Sequence, residues 1–458
     1  MSNLKFDLFK KSMSGKDVAV IGIGVSNLPL IKLLISCGAR VTARDIKTQA
    51  EIGAAYHGLK DMGVRFQLGE HYLSNLSSEI IFKTPGIRFD LPELVAARKR
   101  GSVVTSEMEV FFDVCPVPII AVTGSDGKTT TTTLICEMLR SAGFTCHLGG
   151  NIGKPLLSEA DAILPEDKVV LELSSFQLHT MKTSPGTAVI TNITPNHLDM
   201  HKSMEEYIDA KRNIYRHQTA GGRLVTNYDN EITRVMGMEA KNSVYFSRKA
   251  ALDEGIFLKE GVIVGKHGGN VVELLDTKDI AIPGAHNVEN YMAAIGAVHG
   301  MVSKEDVRKV AKNFRGVEHR MEFVRELDGV KYYNDSASSS PARSTAGVKC
   351  FDKKVILIAG GYDKKIPFDD FGGVVCEHVK TLILFGQTAD KIQAAVKAAS
   401  SARPEIVRAY TLKDTVLSAK AAAAPGDVVL FSPACASFDM FNNAYERGRM
   451  FKEIVNKL

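Results

Sequence analysis

The chain has 458 residues, with 57 basic and 52 acidic side chains for a net charge of +5, 45% hydrophobic and 24% charged residues. That length suits about three domains of ordinary globular composition, and the mixed charges form no basic block or aromatic platform of the kind nucleic-acid binders carry. Seven cysteines without a CxxC pair fit reduced thiols in a cytoplasmic protein, and no signal peptide or apolar run of about 18 residues suggests export or a membrane.

The first elements are a strand at Asp17–Ile21, the turn Gly22-Ile-Gly24-Val25-Ser26-Asn27, an apolar-periodic helix through residue 37, and a strand ending at Asp45. That is a βαβ unit. The turn nearly matches GxGxxG, with Asn27 in place of the third glycine and Asp45 lying 21 residues beyond Gly24, about where a nicotinamide enzyme keeps its ribose-binding acid. A dinucleotide site and a ligand-free structural turn are both open on these residues alone. A strand at 80–82 leads into Thr84-Pro85-Gly86, the segment closes near Phe112, and Cys115-Pro-Val-Pro118 reads as a linker.

A second α/β unit begins with a strand at 119–122, which breaks into Gly124-Ser125-Asp126-Gly127-Lys128-Thr129-Thr130 and then a helix. This GxxGKT spacing is tighter than the common GxxxxGK[ST] loop. Its physics is the same: backbone N–H groups freed at the glycines, and the positive end of the following helix, suit phosphate oxygens. Lys128 adds a point charge for the β- and γ-phosphates, and the hydroxyl of Thr129 or Thr130 can ligate Mg²⁺. Five consecutive threonines are poor helix material, so their presence at a helix start suggests work for the hydroxyls. The bland alternative is a glycine turn with an incidental lysine.

Glu172 ends the apolar strand 169–173, the layout of a second magnesium-binding strand, and His197 lies in the loop after the strand 187–193. Each has an ordinary structural reading as well. Lys211 is odder. In the helix 203–215 it shares the face of Met204 and Ile208, where a lysine either snorkels along its stem or is held inside a site.

Short alternating runs between 221 and 282 predict a small β-rich insertion, and helical text resumes at Asn287. A boundary falls at 314–319, with a helix ending at Gly316. Strands at 354–359, 381–385 and 428–431, with a helix at 390–400, make the last stretch α/β again.

Read in order, GSDGKTT, ELSSFQL (172–178), NITPNHLD (192–199), YIDAK (207–211), GAHNVEN (284–290), EHRME (318–322), YNDS (333–336) and SPACASFD (432–439) resemble the Mur ligase family over essentially the whole chain. ELSSFQL with SPACASFD is similar to its D-glutamate-adding branch. The resemblance implies two Rossmann-like domains around a central P-loop ATPase-like domain: residues 1–115 for a UDP substrate, 116–318 for ATP and 319–458 for the amino acid. It implies that ATP phosphorylates the carboxylate of UDP-N-acetylmuramoyl-L-alanine and that the amine of D-glutamate displaces the phosphate, in the bacterial cytoplasm, by a monomer.

Two Mg²⁺ ions are implied, one held by Thr129 and Glu172, the other involving His197 and a Lys211 carbamylated by CO₂. ATP contacts would come from the loop residues, Asn290, Arg320 and Asp335. Gly24, Val25, Ser26, Asp45, Thr84, Gly86, Asn151, Ser174 and Gln177 would face the UDP substrate, with Ser175 beside them. Ser339, Lys364, Ser437 and Phe438 would face D-glutamate, Ser437 at the start of a helix running from Phe438. The sequence departs from the family pattern at Ala337, Ser339, Asn196 and Ala444, where a lysine, a threonine, an acid and an aromatic are usual.

Overall fold

The computed structural model describes residues 3–24, 27–195 and 200–458. Contacts divide it into two compact units, Met1–Thr277 with Glu289–Val310, and Lys278–Val288 with Ala311–Leu458.

The first unit holds two sheets. In one, β1 (Asp17–Ile21), β2 (Arg40–Asp45), β3 (Arg65–Leu68), β4 (Ile80–Lys83) and β5 (Val103–Thr105) are all parallel, in the order β3-β2-β1-β4-β5. Helices cover both faces, so central strands read as continuous apolar runs; Val18, Ala19, Val20 and Ile21 are fully buried. Strand order reverses between β1 and β4, which opens a crevice at their C-terminal ends.

The other sheet comprises β6 (Ile119–Thr123), β7 (Cys146–Gly150), β8 (Lys168–Glu172), β9 (Thr187–Ile190), β10 (Arg223–Asn227), β11 (Ser243–Ser247), β12 (Gly255–Lys259), β13 (Val262–His267) and β14 (Asn270–Asp276). Their order is β14-β13-β12-β11-β10-β9-β6-β8-β7. The β-rich stretch of the sequence is continuous with this sheet: β10 and β11 extend it in parallel, and antiparallel β12–β14 finish its edge. Strand β6 lies between β8 and β9, with Val122 opposite both Glu172 and Val189. Parallel register therefore delivers the ends of three strands, and the loops that follow them, to one place.

In the second unit β15 (Glu322–Leu327), β16 (Val330–Asn334), β17 (Val355–Gly360), β18 (Val379–Phe385), β19 (Glu405–Arg408) and β20 (Val428–Phe431) run in the order β15-β16-β20-β17-β18-β19, with β15 antiparallel at the edge. Asn334 pairs with Phe431, and Phe431 with Ile358, so the YNDS and SPACAS loops leave the sheet side by side. The helix expected to end at Gly316 stops at Asn313, and Gly316 sits beyond it at a φ of 101°. All seven cysteines are free thiols. Among the described residues no helix is long and apolar enough to cross a membrane.

Candidate active site

The loop after β6 is shaped by its two glycines. Gly124 has a φ of 150°, and a Cβ there would overlap Thr191 Oγ1 and lie 3.1 Å from the Asn192 carbonyl. Gly127, at a φ of 78°, is the left-handed residue before the helix Lys128–Ser141, and its missing side chain leaves room for the Asn290 amide. Within the loop the Asp126 N–H donates to Asn192 Oδ1 at 3.0 Å, and the Thr194 N–H to Ser125 Oγ at 2.9 Å. Lys128 Nζ arches back to the carbonyls of Gly124 and Ser125 at 3.0 and 2.8 Å, and so stands over the bend.

The threonine run is explained side chain by side chain. Thr129 Oγ1 donates to Glu172 Oε2 at 2.7 Å and Thr131 Oγ1 to Asn290 Oδ1 at 3.2 Å. Thr132 and Thr133 return to the carbonyls of Lys128 and Thr129, each at 2.8 Å. Thr130 stays half-buried in the first turn. Back-bonding of this kind satisfies hydroxyls inside a packed helix.

Glu172, buried at the end of β8, also accepts from Asn151 Nδ2 at 2.8 Å. The loop, Asn290, Asn151 and the carboxylate thus share one spot. A hydroxyl and a carboxylate 2.7 Å apart, both hard oxygen donors, are a fitting donor set for Mg²⁺. Lys211 does not snorkel. It is 1% exposed, with Nζ donating to Thr123 Oγ1 at 3.1 Å and to the Gly124 carbonyl at 2.9 Å. Burial, with the Lys128 charge second, holds its amine well below the usual lysine range, against the pull of Glu172 and Asp126. One turn earlier, Tyr207 lies under the ammonium at 4.8 Å and its hydroxyl meets Ser125 Oγ at 3.0 Å. His197 and Asn196, like Val25 and Ser26, lie outside the described residues.

Along the first sheet, Asp45 is committed to the glycine turn: it accepts the N–H of Ile23 at 2.6 Å and of Lys47 at 3.0 Å. Asn27, in the third-glycine position, donates to the carbonyls of Ile21 and Gly22 at 3.2 and 2.9 Å. Gly24 has open space where a Cβ would stand, while one on Gly22 would press on Thr84 at 2.9 Å. Gly86 lines a small cavity with Phe176 and His179. Ser174 and Gln177 are brought together as a capping box on the helix Ser175–Leu178, a pattern readable from S-x-x-Q. Ser175 Oγ meets His201 Nε2 at 2.9 Å.

In the second unit, Asp335 is buried; Ser432 Oγ donates to it at 2.7 Å and the Met321 N–H at 3.3 Å, and burial lifts its carboxyl to about 6. Arg320 and Lys364 are exposed, Ser339 is half-buried, and Ala337 donates its N–H to the His319 carbonyl at 2.9 Å. One expectation fails. Ser437 is not at a helix start: residues 437–443 form turns, and the helix begins at Ala444, capped by Asn443, whose side chain accepts the Glu446 N–H. Ser437 itself is 2% exposed and Phe438 64%.

The sequence reading missed Arg447, the largest fully buried side chain. It donates to Ser336 Oγ and to the carbonyls of Ser336, Cys435 and Ala436, tying the YNDS loop to SPACAS. It also missed Arg88, which holds Asp90 and Glu206 and reaches the Met200 carbonyl. An arginine inside the apolar stripe of the last helix was the available signal for the first; nothing local marks the second.

Three α/β sheets, with a shortened phosphate loop at the centre of the middle one, define a class: the Mur ligase fold. The chain matches the Mur ligase middle domain over residues 122–298 and the Mur ligase glutamate ligase domain over 319–435. It is 54% identical to the UDP-N-acetylmuramoylalanine–D-glutamate ligase of Acetivibrio thermocellus, covering 100% of this chain and 99% of that one. The Ruminiclostridium cellulolyticum ligase of the same name is 52% identical over 100% of both chains. In structure, the UDP-N-acetylmuramate–alanine ligase of Thermotoga maritima superimposes with a TM-score of 0.61 at 20% identity, covering 96% of this chain and 99% of that one, which is a likeness of fold. The chain belongs to the UDP-N-acetylmuramoylalanine–D-glutamate ligase family.

Proposed function

We propose that the protein joins D-glutamate to UDP-N-acetylmuramoyl-L-alanine with ATP, through an acyl phosphate, in cytoplasmic peptidoglycan precursor synthesis. Identity above 50% along the entire chain to ligases of that name carries the reading. The assignment of residues 1–115 to the UDP substrate, 116–318 to ATP and 319–458 to the amino acid belongs to the same proposal.

In this reading the N–H groups of Gly124 to Thr130 and Lys128 hold the β- and γ-phosphates in line with the substrate carboxylate. Phosphoryl transfer asks the protein mainly for positioning and charge cancellation. Thr129 and Glu172 would hold one Mg²⁺, and His197 with a carbamylated Lys211 a second; these ions would neutralise charge on the transferring phosphate. Burial displaces the Lys211 amine toward its neutral form, the form that takes up CO₂, which supports the carbamate. Asn290, Arg320 and Asp335 would contact the nucleoside. Asn151, Ser174, Ser175 and Gln177 would face the muramoyl group, with Gly24, Val25, Ser26, Asp45, Thr84 and Gly86 on the UDP moiety. Lys364, Ser339, Ser437 and Phe438 would receive D-glutamate.

The test is ADP release with ATP, Mg²⁺ and UDP-N-acetylmuramoyl-L-alanine, comparing D-glutamate, L-glutamate, L-lysine and no amino acid. The expected rate appears with D-glutamate alone. Turnover indifferent to the amino acid would remove the third-domain assignment and the function with it.

A further inference from the structure

Lys83 ends β4, in register with Ile21 of β1, at the point where strand order in the first sheet reverses. Open α/β sheets take their ligands at such a point. The residue is 4% exposed, and among the described residues its amine makes no hydrogen bond and no ion pair within 4.0 Å. Burial lowers the amine from the usual lysine range, with Glu109 pulling the other way. Glu109 does not close on it, and one of its own oxygens is buried without a hydrogen bond.

A lysine held this far inside with no protein partner for its ammonium is costly, and a fold does not retain one for packing when methionine would serve. Lys83 lines a cavity of about 10 Å³ for water centres, with Gly86 and Arg88 on one side and Phe176, His179 and His201 on the other. That volume takes about one water-sized group. It suits a single carboxylate or phosphate oxygen and is too small for a diphosphate. Arg88 is already bonded to Asp90 and Glu206, and burial holds His179 below the usual histidine value, which leaves Lys83 as the cation with hydrogen bonds to give.

We propose that Lys83 binds an acidic oxygen of the nucleotide-activated substrate in this cavity and is a specificity-determining residue of the site. The inference rests on the reading of the first sheet as the UDP-substrate side. No sequence motif pointed to it, because a lysine before Thr-Pro-Gly reads as an ordinary strand end.

Calorimetric titration of the intact protein, Lys83→Met and Lys83→Gln with UDP-N-acetylmuramoyl-L-alanine, UDP and ATP tests it, alongside thermal midpoints. Losing a hydrogen bond to a charged group should weaken substrate binding about ten- to a hundred-fold. ATP binding should be unchanged, and the midpoint of Lys83→Met equal to or above that of the parent. UDP weakened in parallel assigns the contact to a phosphate oxygen; UDP unaffected assigns it to the carboxylate end. Substrate binding unchanged in both variants overturns the proposal, as does a lowered midpoint or failure of both to fold, since Lys83 would then be structural. If the unaltered protein itself does not bind UDP-N-acetylmuramoyl-L-alanine, the functional reading falls first and takes this one with it.

Discussion

Lys211 and Asp335 are both buried ionisable groups, and burial moves each toward its neutral form. For Lys211 the amine is displaced toward the unprotonated state that reacts with CO₂. Lys211→Ala should lose most ADP release, and added acetate should restore part of it by placing a carboxylate in the vacated space. Full activity in the variant would return Lys211 to a packing role. Asp335 links folding to pH. Its folded value of about 6 lies above the ordinary 3.8, so the native state keeps a proton that the unfolded chain has released. Stability falls as pH rises between those two values and stays reduced above them. Asp335→Asn should therefore be more stable than the parent by about 1–3 kcal/mol at pH ~8 and no different below pH ~4. Urea denaturation at the two pH values checks this; a variant equally stable at both would remove burial as the dominant influence on that carboxyl.

The central loop is the element on which most of the site depends, and its glycines are fixed by what surrounds them. Gly124→Ala must displace Thr191 and adopt a φ that side chains rarely take. It should cost about 2 kcal/mol or more in stability and abolish ADP release, read by thermal denaturation and the nucleotide assay. A stable, active Gly124→Ala would mean the loop relaxes without its glycine.

This element was legible because apolar strand, glycine spacing and helix all point the same way over a few residues. So was Lys211, whose position on an apolar helix face contradicts its charge. The false helix start at Ser437 has a local cause. The stretch 438–443 lacks helical periodicity, while Asn443 with Glu446 offers a true cap six residues on. Lys83 and Arg88 were not legible, since the cavity and the carboxylates around them are brought close by the sheets and not by sequence; Arg447 was marked only by its place on an apolar helix face, its carbonyl partners lying in distant loops.

Across the first unit, the two sheets are stitched by contacts far apart in sequence. Asn3 Nδ2 donates to the Ala160 carbonyl at 3.3 Å, Lys10 pairs with Asp161 at 2.7 Å, and the Leu157 N–H donates to Glu107 at 3.0 Å. The densest stitch is Arg88. From the loop after β4 it binds Glu206 at 2.9 Å, on the helix Met204–Arg216 that also carries Tyr207 and Lys211, while Lys202 reaches Asp90 at 2.6 Å. Arg88 therefore couples the loop beside Gly86 to the helix beneath the phosphate loop.

The Arg88 guanidinium holds the Glu206 carboxyl down at about 2, against an ordinary 4.5. A depressed folded value contributes stability that is fully present above the ordinary value and is lost as pH falls through the folded one. Both side chains are partly screened by solvent, at 23% and 19% exposure, so the contribution is of the order of 1–3 kcal/mol and not the full shift. Arg88→Met should lower the thermal midpoint at neutral pH, and the gap should narrow between pH ~4.5 and ~2 as Glu206 is protonated in the parent, while the pair with Asp90, whose carboxyl the same guanidinium holds down, persists to lower pH. It should also raise KM for the UDP substrate more than KM for ATP, because the altered loop lies on the first sheet's side. A midpoint difference as large at pH ~2 as at neutral pH would remove the Glu206 pair as a source of stability and leave Asp90 and packing, and equal effects on both KM values would place the coupling in the helix.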